Sequence, residues 1–180
     1  MKSDYRTRAF HFLKSIFPYI QNNLFSDWDI SRAVKLYVSD HPSRRVSFEE
    51  GSARFALITS DYVIKWDYDA ECVAEIGGCE REAEVYKMAC DAGYEYLFAE
   101  TTLITYCGYT FSIMPRIKAI GPKCHKYTLK EMLSYDELNW IKSIGLIDFH
   151  DWNWGIRHNQ PVIVDYAYIE DCEDEEEETA

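Results

Sequence analysis

From Arg45 the apolar pattern of this chain changes to a period of two, and a helical stretch later interrupts it. Period two over short runs marks half-buried strands. Arg45–Glu50, Arg54–Thr59 and Tyr62–Asp67 read as three strands, joined by turns at Gly51-Ser52 and Ser60-Asp61. Cys79–Ala92 then carries Glu82, Val85, Tyr86 and Ala89 on one helical face, with Gly93 placed to cap its end. Leu97–Thr105 and Tyr109–Ile117 follow as two further strands around Cys107-Gly108. Turns this short join antiparallel neighbours. The expected fold is therefore α+β, a five-stranded antiparallel sheet with one helix inserted after the third strand.

The third strand, Tyr62-Val63-Ile64-Lys65-Trp66, contains a lysine among apolar residues. A buried ammonium needs a partner. Glu82 lies one turn before the apolar residues of the helix face and is the expected partner, with Glu80 as a substitute and Glu84 solvated. The other reading is an edge-strand lysine whose stem lies along the sheet while its head reaches water.

Further on, Leu146-Ile147-Asp148-Phe149-His150-Asp151-Trp152-Asn153-Trp154-Gly155 reads as a polar loop, followed by a turn and a buried strand that ends Val164-Asp165-Tyr166-Ala167. Asn153 is five residues after Asp148, and Asp165 is twelve after Asn153. The amide oxygen of Asn153 and the carboxylate of Asp165 are hard donors suited to Mg²⁺, which keeps positions for phosphate oxygens and water. Asp148 can then orient or deprotonate an acceptor hydroxyl. Asp and Asn also favour plain turns. A metal-dependent hydrolase built from Asp148, His150, Asp151 and Asp165 is a third reading, but it leaves Lys65 and Glu82 without a role. Trp152 and Trp154 flank Asn153 and either wedge the loop in place or stack on a ligand.

Taken together, this lysine, helix glutamate, loop Asp/Asn pair and hairpin Asp resemble the protein-kinase-like family. The form Asp-x-His-x-x-Asn-x-Gly at Asp148–Gly155 is similar to bacterial, phage and atypical members. Leu146 and Ile147 stand where eukaryotic kinases have His-Arg, and Asp165-Tyr166-Ala167 stands for Asp-Phe-Gly. The resemblance implies a two-lobed fold: a helical extension over 1–44, an N-lobe over 45–117, a reduced C-lobe over 118–169 and an acidic tail over 170–180. It implies ATP and Mg²⁺ as cofactors. Lys65, paired with Glu82, would meet the phosphates; Asn153 and Asp165 would hold the metal; and Asp148 would serve the acceptor. Gly51, Ser52 and Ala53 would lie over the phosphates, although a single glycine also suits an ordinary hairpin turn. Met114, Pro115 and Ile117 would face the purine through their backbone. Only thirteen residues follow Ala167, so no acceptor-binding helices are expected. The alternative is a pseudokinase, a nucleotide-binding module that acts on a protein partner without turnover.

The flanks fit a helical pair. Phe10, Leu13, Phe17, Ile20 and Leu24 make one apolar stripe, with Pro18 expected to interrupt or end its first part. Ser26 caps a second helix whose Ile30, Ala33, Val34 and Tyr37 share a face and which stops before Asp40-His41-Pro42. Ser134 caps a later helix, Tyr135–Ile144, with Glu137 at its third position and Leu138, Ile141 and Ile144 inward. The net charge is −12, but 170–178 holds eight carboxylates, and without them the balance is −4. Such a balance argues against nucleic-acid binding. The helical pair is expected to pack on the main domain; under the pseudokinase alternative these helices and the acidic tail would supply the contacts for a protein partner. No apolar run reaches membrane-spanning length, Met1–Arg6 is not a secretory leader, and the six cysteines show no Cys-x-x-Cys pair. The expected compartment is cytoplasmic, with reduced thiols.

Overall fold

The computed structural model describes residues 4–21, 27–51, 54–67, 77–119, 128–146 and 150–167; the side chains of 27–29 and 31 lie outside that description. Ser26, Ser52, Ala53, Asp148 and the acidic tail, all singled out above, fall outside it as well.

Helix α1, Tyr5–Ile20, buries Ala9, Phe12, Leu13, Ile16, Phe17 and Ile20, a three-to-four spacing that fixes one face. Each fully buried Phe, Leu or Ile among them contributes about 1.5–3 kcal/mol. Pro18 does not interrupt the helix as expected: it sits in the last turn, so a single bond, to the Lys14 carbonyl, is forgone before the helix ends at Ile20. Phe17 and Ile20, buried on either side of it, hold that turn in the core, and the Gln21 amide closes it on the Phe17 carbonyl at 2.9 Å. Helix α2, Asp27–Asp40, runs one residue further than its sequence suggests and buries Ile30, Ala33, Val34 and Tyr37. The hydroxyls of Tyr37 and Ser15 meet at 2.8 Å and the Tyr19 hydroxyl donates to Asp40 at 2.9 Å, which ties the two helices together.

Strands β1 (Ser47–Glu50), β2 (Arg54–Ile58), β3 (Tyr62–Asp67), β4 (Thr102–Tyr106) and β5 (Tyr109–Pro115) form an antiparallel sheet in the order β1-β2-β3-β5-β4. Helix α3, Gly78–Ala92, is inserted between β3 and β4 and ends on Gly93 with φ of 79°, a conformation glycine adopts without cost. Alternation divides the sheet into two faces. Phe55, Leu57, Ile64, Trp66, Phe111 and Ile113 join the core of α1 and α2. The register Arg54↔Asp67, Ala56↔Lys65 and Lys65↔Ser112 puts a polar row on the opposite face. The helical pair therefore covers the back of the sheet and leaves the charged face toward α3.

The strand expected from Leu97 begins only at Thr102, and Glu95–Leu97 is a 3-10 turn. The cause is burial without alternation: Leu97, Phe98 and Ala99 are all buried in succession. Their backbone pairs elsewhere, with the Ala99 amide donating to the Ile163 carbonyl at 2.8 Å. β5 likewise stops at Pro115 rather than Ile117, because the Arg116 amide turns to the Asp61 carbonyl at 2.9 Å.

The remaining described elements are α4 (Leu129–Met132), α5 (Tyr135–Ser143) and a hairpin of β6 (Trp154–Arg157) and β7 (Gln160–Ile163). Ser134 and Glu137 form the expected reciprocal cap at the start of α5. Ile141 alone of the expected inward residues is fully buried; Leu138 and Ile144 are partly covered. A second core gathers Val85, Ala89, Leu97, Phe98, Leu129, Ile141, Leu146, Trp154, Ile163 and Tyr166. Two bridges, Phe98↔Ile163 and Ala119↔Gly155, tie the hairpin to the chain on either side of β4 and β5. At the second bridge a Cβ on Gly155 would lie 2.5 Å from the Lys118 carbonyl oxygen, so only glycine admits that approach. Among the described residues no helix is long and apolar enough to cross a membrane.

Candidate active site

The polar face of the sheet, α3 and the segment after β7 converge on four charged side chains. Glu82 is at the centre and is fully buried. It is held there because Asp67, at the end of β3, accepts from the Cys79 amide at 3.2 Å and so fixes the start of α3. One turn later Glu82 faces β3 and β5. Its Oε1 accepts from Lys65 Nζ at 2.7 Å and lies 3.0 Å from Arg54 Nη1, while Oε2 accepts from the Ser112 hydroxyl at 3.2 Å. Lys65 also donates to the Val164 carbonyl at 2.9 Å and stands 3.7 Å from Asp165 Oδ1. Arg54 Nη2 bonds that same carboxylate oxygen. Two cations and two carboxylates thus form a closed network around Glu82.

The hairpin sets the position of Asp165. His158 and Asn159 at its turn both have positive φ, 53° and 65°, as a tight two-residue connection requires. The Asn153 carbonyl accepts from the amides of Val164 at 2.7 Å and Asp165 at 3.2 Å, which brings the Asn153 backbone beside that of Asp165. Tyr166 anchors the far side. It is buried, its hydroxyl donates to the Ala99 carbonyl at 2.6 Å, and its ring packs edge-on to Phe98 at 5.0 Å. Trp154 is buried in the second core, whereas Trp152 is 65% exposed and does not wedge the loop.

Charge sets the ionisation here. Burial would raise the Asp165 carboxyl, but Lys65 and then Arg54 outweigh it and hold the group below the usual aspartate value of 3.8. Burial alone would lower the Arg54 guanidinium, and Glu82 with Asp165 holds it above its usual value instead. Burial lifts the Asp67 carboxyl and pushes the Cys79 thiol up to about 12, so that thiol is no nucleophile. A carboxylate whose folded pKa lies below its unfolded one stabilises the fold above the unfolded value and loses that effect as pH falls through the folded value. The stability difference between wild type and Asp165→Asn is therefore expected to stay constant from pH 8 to 5 and to shrink only below about 3.8, the ordinary aspartate value. Thermal melts across that range check it; a difference that fades near pH 6 would contradict the network.

The structure brings together Lys65, Glu82 and Asp165, with Asn153 adjacent through its backbone. Glu80 is not the partner of Lys65, and Glu84 is half exposed and paired with Arg81 at 3.5 Å. Gly51 is exposed, and its amide donates to the Arg54 carbonyl at 2.8 Å. Met114 is buried and Pro115 and Ile117 partly so; Ala99, Met114 and Val162, with Val63, Ile117 and Val164 against them, form a small apolar cluster next to the charged network. Among the described residues no group of three or more His, Cys, Asp and Glu side chains could hold a metal ion. One carboxylate and one amide oxygen suit a cation whose other ligands are phosphate and water. The sequence reading missed Arg54. Its signal was present: Arg54 and Ala56 share the alternation that puts Lys65 on the polar face.

No family model matches the chain, and no curated protein matches it. Among solved structures it is similar to WbdD, described in a co-crystal with the kinase inhibitor LY294002, with a TM-score of 0.34 and 14% identity. The similarity covers 67% of this chain and 32% of that one, so this chain spans about a third of that protein's length.

Proposed function

We propose that this chain is a kinase-like phosphotransferase that binds ATP with Mg²⁺ and transfers a phosphoryl group to an acceptor hydroxyl. The observation that carries the reading is the position of Lys65 Nζ, 2.7 Å from Glu82 and 3.7 Å from Asp165, on the third strand of a sheet ordered β1-β2-β3-β5-β4 with one helix inserted after that strand. In this reading the sheet and its helix form one lobe, and the hairpin with α4 and α5 forms a reduced second one. Lys65, held by Glu82, binds phosphate oxygens. Asn153 and Asp165 hold the metal, which neutralises phosphate charge when bound. Asp148 positions the acceptor and takes its proton. The apolar cluster around Val63, Met114 and Val162 offers a floor for the purine, and Pro115 and Ile117 offer backbone groups at its edge. Catalysis rests on orientation and fixed charge. The helical pair and the acidic tail are left for a partner protein, and the compartment is cytoplasmic.

One observation favours a nucleotide-binding module without turnover as a second reading: two cations already engage the Asp165 carboxylate. Two measurements separate the readings. ATP with Mg²⁺ at a hundredfold excess over its dissociation constant stabilises the wild type by ~2.7 kcal/mol under both. Transfer from labelled ATP, to the protein itself or to a lysate, occurs only under the first and is lost in Asp165→Ala. Equal labelling of wild type and Asp165→Ala would remove the phosphotransferase reading, and the absence of any thermal shift would remove both.

A further inference from the structure

Arg54 is the member of the charged network with no counterpart in the reading above. Its side chain is 11% exposed and lies between a fully buried carboxylate, Glu82, and one whose side chain is 45% exposed, Asp165. The stem is tightly seated: a Cβ on Gly78 would come within 2.8 Å of both Arg54 Cδ and Asp67 Oδ1, so the bare glycine makes the space that the arginine occupies. Nη1 faces inward, toward Glu82 and, at 3.4 Å, the Gly78 carbonyl. Nη2 faces outward and holds Asp165.

This division of the two ends matters because Asp165 is also the carboxylate proposed to hold a divalent cation. A cation arriving alone meets an oxygen already shared by Arg54 and Lys65, and two positive charges beside it. A cation arriving with a polyphosphate brings an anion that can take Arg54 in exchange. A guanidinium is suited to that exchange, because its planar fork bonds carboxylate and phosphate oxygens alike and one end can stay paired while the other moves.

We propose that Arg54 is a partner-exchanging cation that makes the site select a metal-bound polyphosphate over the bare metal. In the free protein Nη2 bonds Asp165. With the ligand bound, Nη1 keeps Glu82, Nη2 passes to a phosphate oxygen, and Asp165 is released to the metal. No covalent bond changes. The inference rests on the nucleotide reading and assigns that site a residue which the sequence reading missed.

The test uses the full chain and two separate probes, Mn²⁺ alone, followed by the electron paramagnetic resonance of the free ion, and ATP in EDTA, followed by calorimetry. Arg54→Met keeps much of the stem and removes the charge. It is expected to bind Mn²⁺ at least fivefold more tightly than wild type and ATP without metal at least tenfold more weakly. A purely structural role would move both constants in one direction or neither, and either result overturns the proposal. If Arg54→Met does not fold, Arg54→Lys replaces it, since an ammonium lacks the two-ended fork that can keep Glu82 at one end while the other end exchanges. Its Mn²⁺ affinity should rise while its ATP affinity stays within threefold of wild type, and unchanged Mn²⁺ affinity would overturn the exchange. Wild type that binds ATP with Mg²⁺, beside variants with unaltered constants, removes only the role of Arg54. Wild type that binds ATP neither with nor without Mg²⁺ removes the nucleotide reading and this inference together.

Discussion

Glu82→Ala is expected to cost about 3–5 kcal/mol of folding free energy, the largest loss of any single truncation in the network. The side chain is fully buried and accepts from Lys65, Arg54 and Ser112 at once. Its removal leaves two cations nine-tenths covered, with only the half-exposed Asp165 between them. Desolvated charge without a partner is the costly outcome, far more than the lost attraction itself. For a chain of this length the melting temperature should fall by roughly 10 °C. Urea unfolding followed by circular dichroism measures it directly. A loss under about 1 kcal/mol would mean that water reaches the cluster and that the pairing is incidental. Glu82→Gln separates shape from charge, because the amide keeps a bond to Ser112 but leaves the cations uncompensated.

Lys65→Met should have the opposite profile, with a fold nearly intact and activity lost. Glu82 keeps Arg54 at 3.0 Å and Ser112 at 3.2 Å, so no buried carboxylate is abandoned. The Val164 carbonyl loses its donor, which costs about 1–3 kcal/mol at most. Phosphate binding, however, loses the cation 3.7 Å from Asp165. Removal of one fixed charge from a desolvated transfer site typically lowers the rate about 10²–10³-fold. Label transfer from ATP should therefore drop by at least a hundredfold, and the stabilisation by ATP with Mg²⁺ should shrink with it. Transfer at the wild-type rate would show that the lysine is structural. The pair of variants is informative together: the glutamate is expected to matter most for stability and the lysine for chemistry, although they share one hydrogen bond.

The sequence by itself indicated the five strands and the inserted helix, because alternation and helical period are local, and it offered Glu82 as one of two readings of Lys65, the other being an edge-strand side chain that reaches water. It also placed Asp165 at the close of a hairpin, from the polar loop at Asn153 and the apolar Val162-Ile163-Val164, although the strand itself stops at Ile163 and Asp165 lies two residues beyond it. Tertiary structure decided the rest. Leu97–Ala99 reads as strand, but it turns to pair with Ile163 because three consecutive buried side chains need a core on more than one side. Pro18 reads as a breaker, but Phe17 and Ile20 hold its turn against the sheet. Alternation puts Arg54 on the polar face with Lys65, but nothing within ten positions of it names its partners. Its partners, Glu82 and Asp165, lie 28 and 111 residues further along the chain. Only the folding of α3 and the hairpin onto the same face of the sheet brings those two carboxylates to one guanidinium, because a charge network is set by distance through space and no local pattern encodes it.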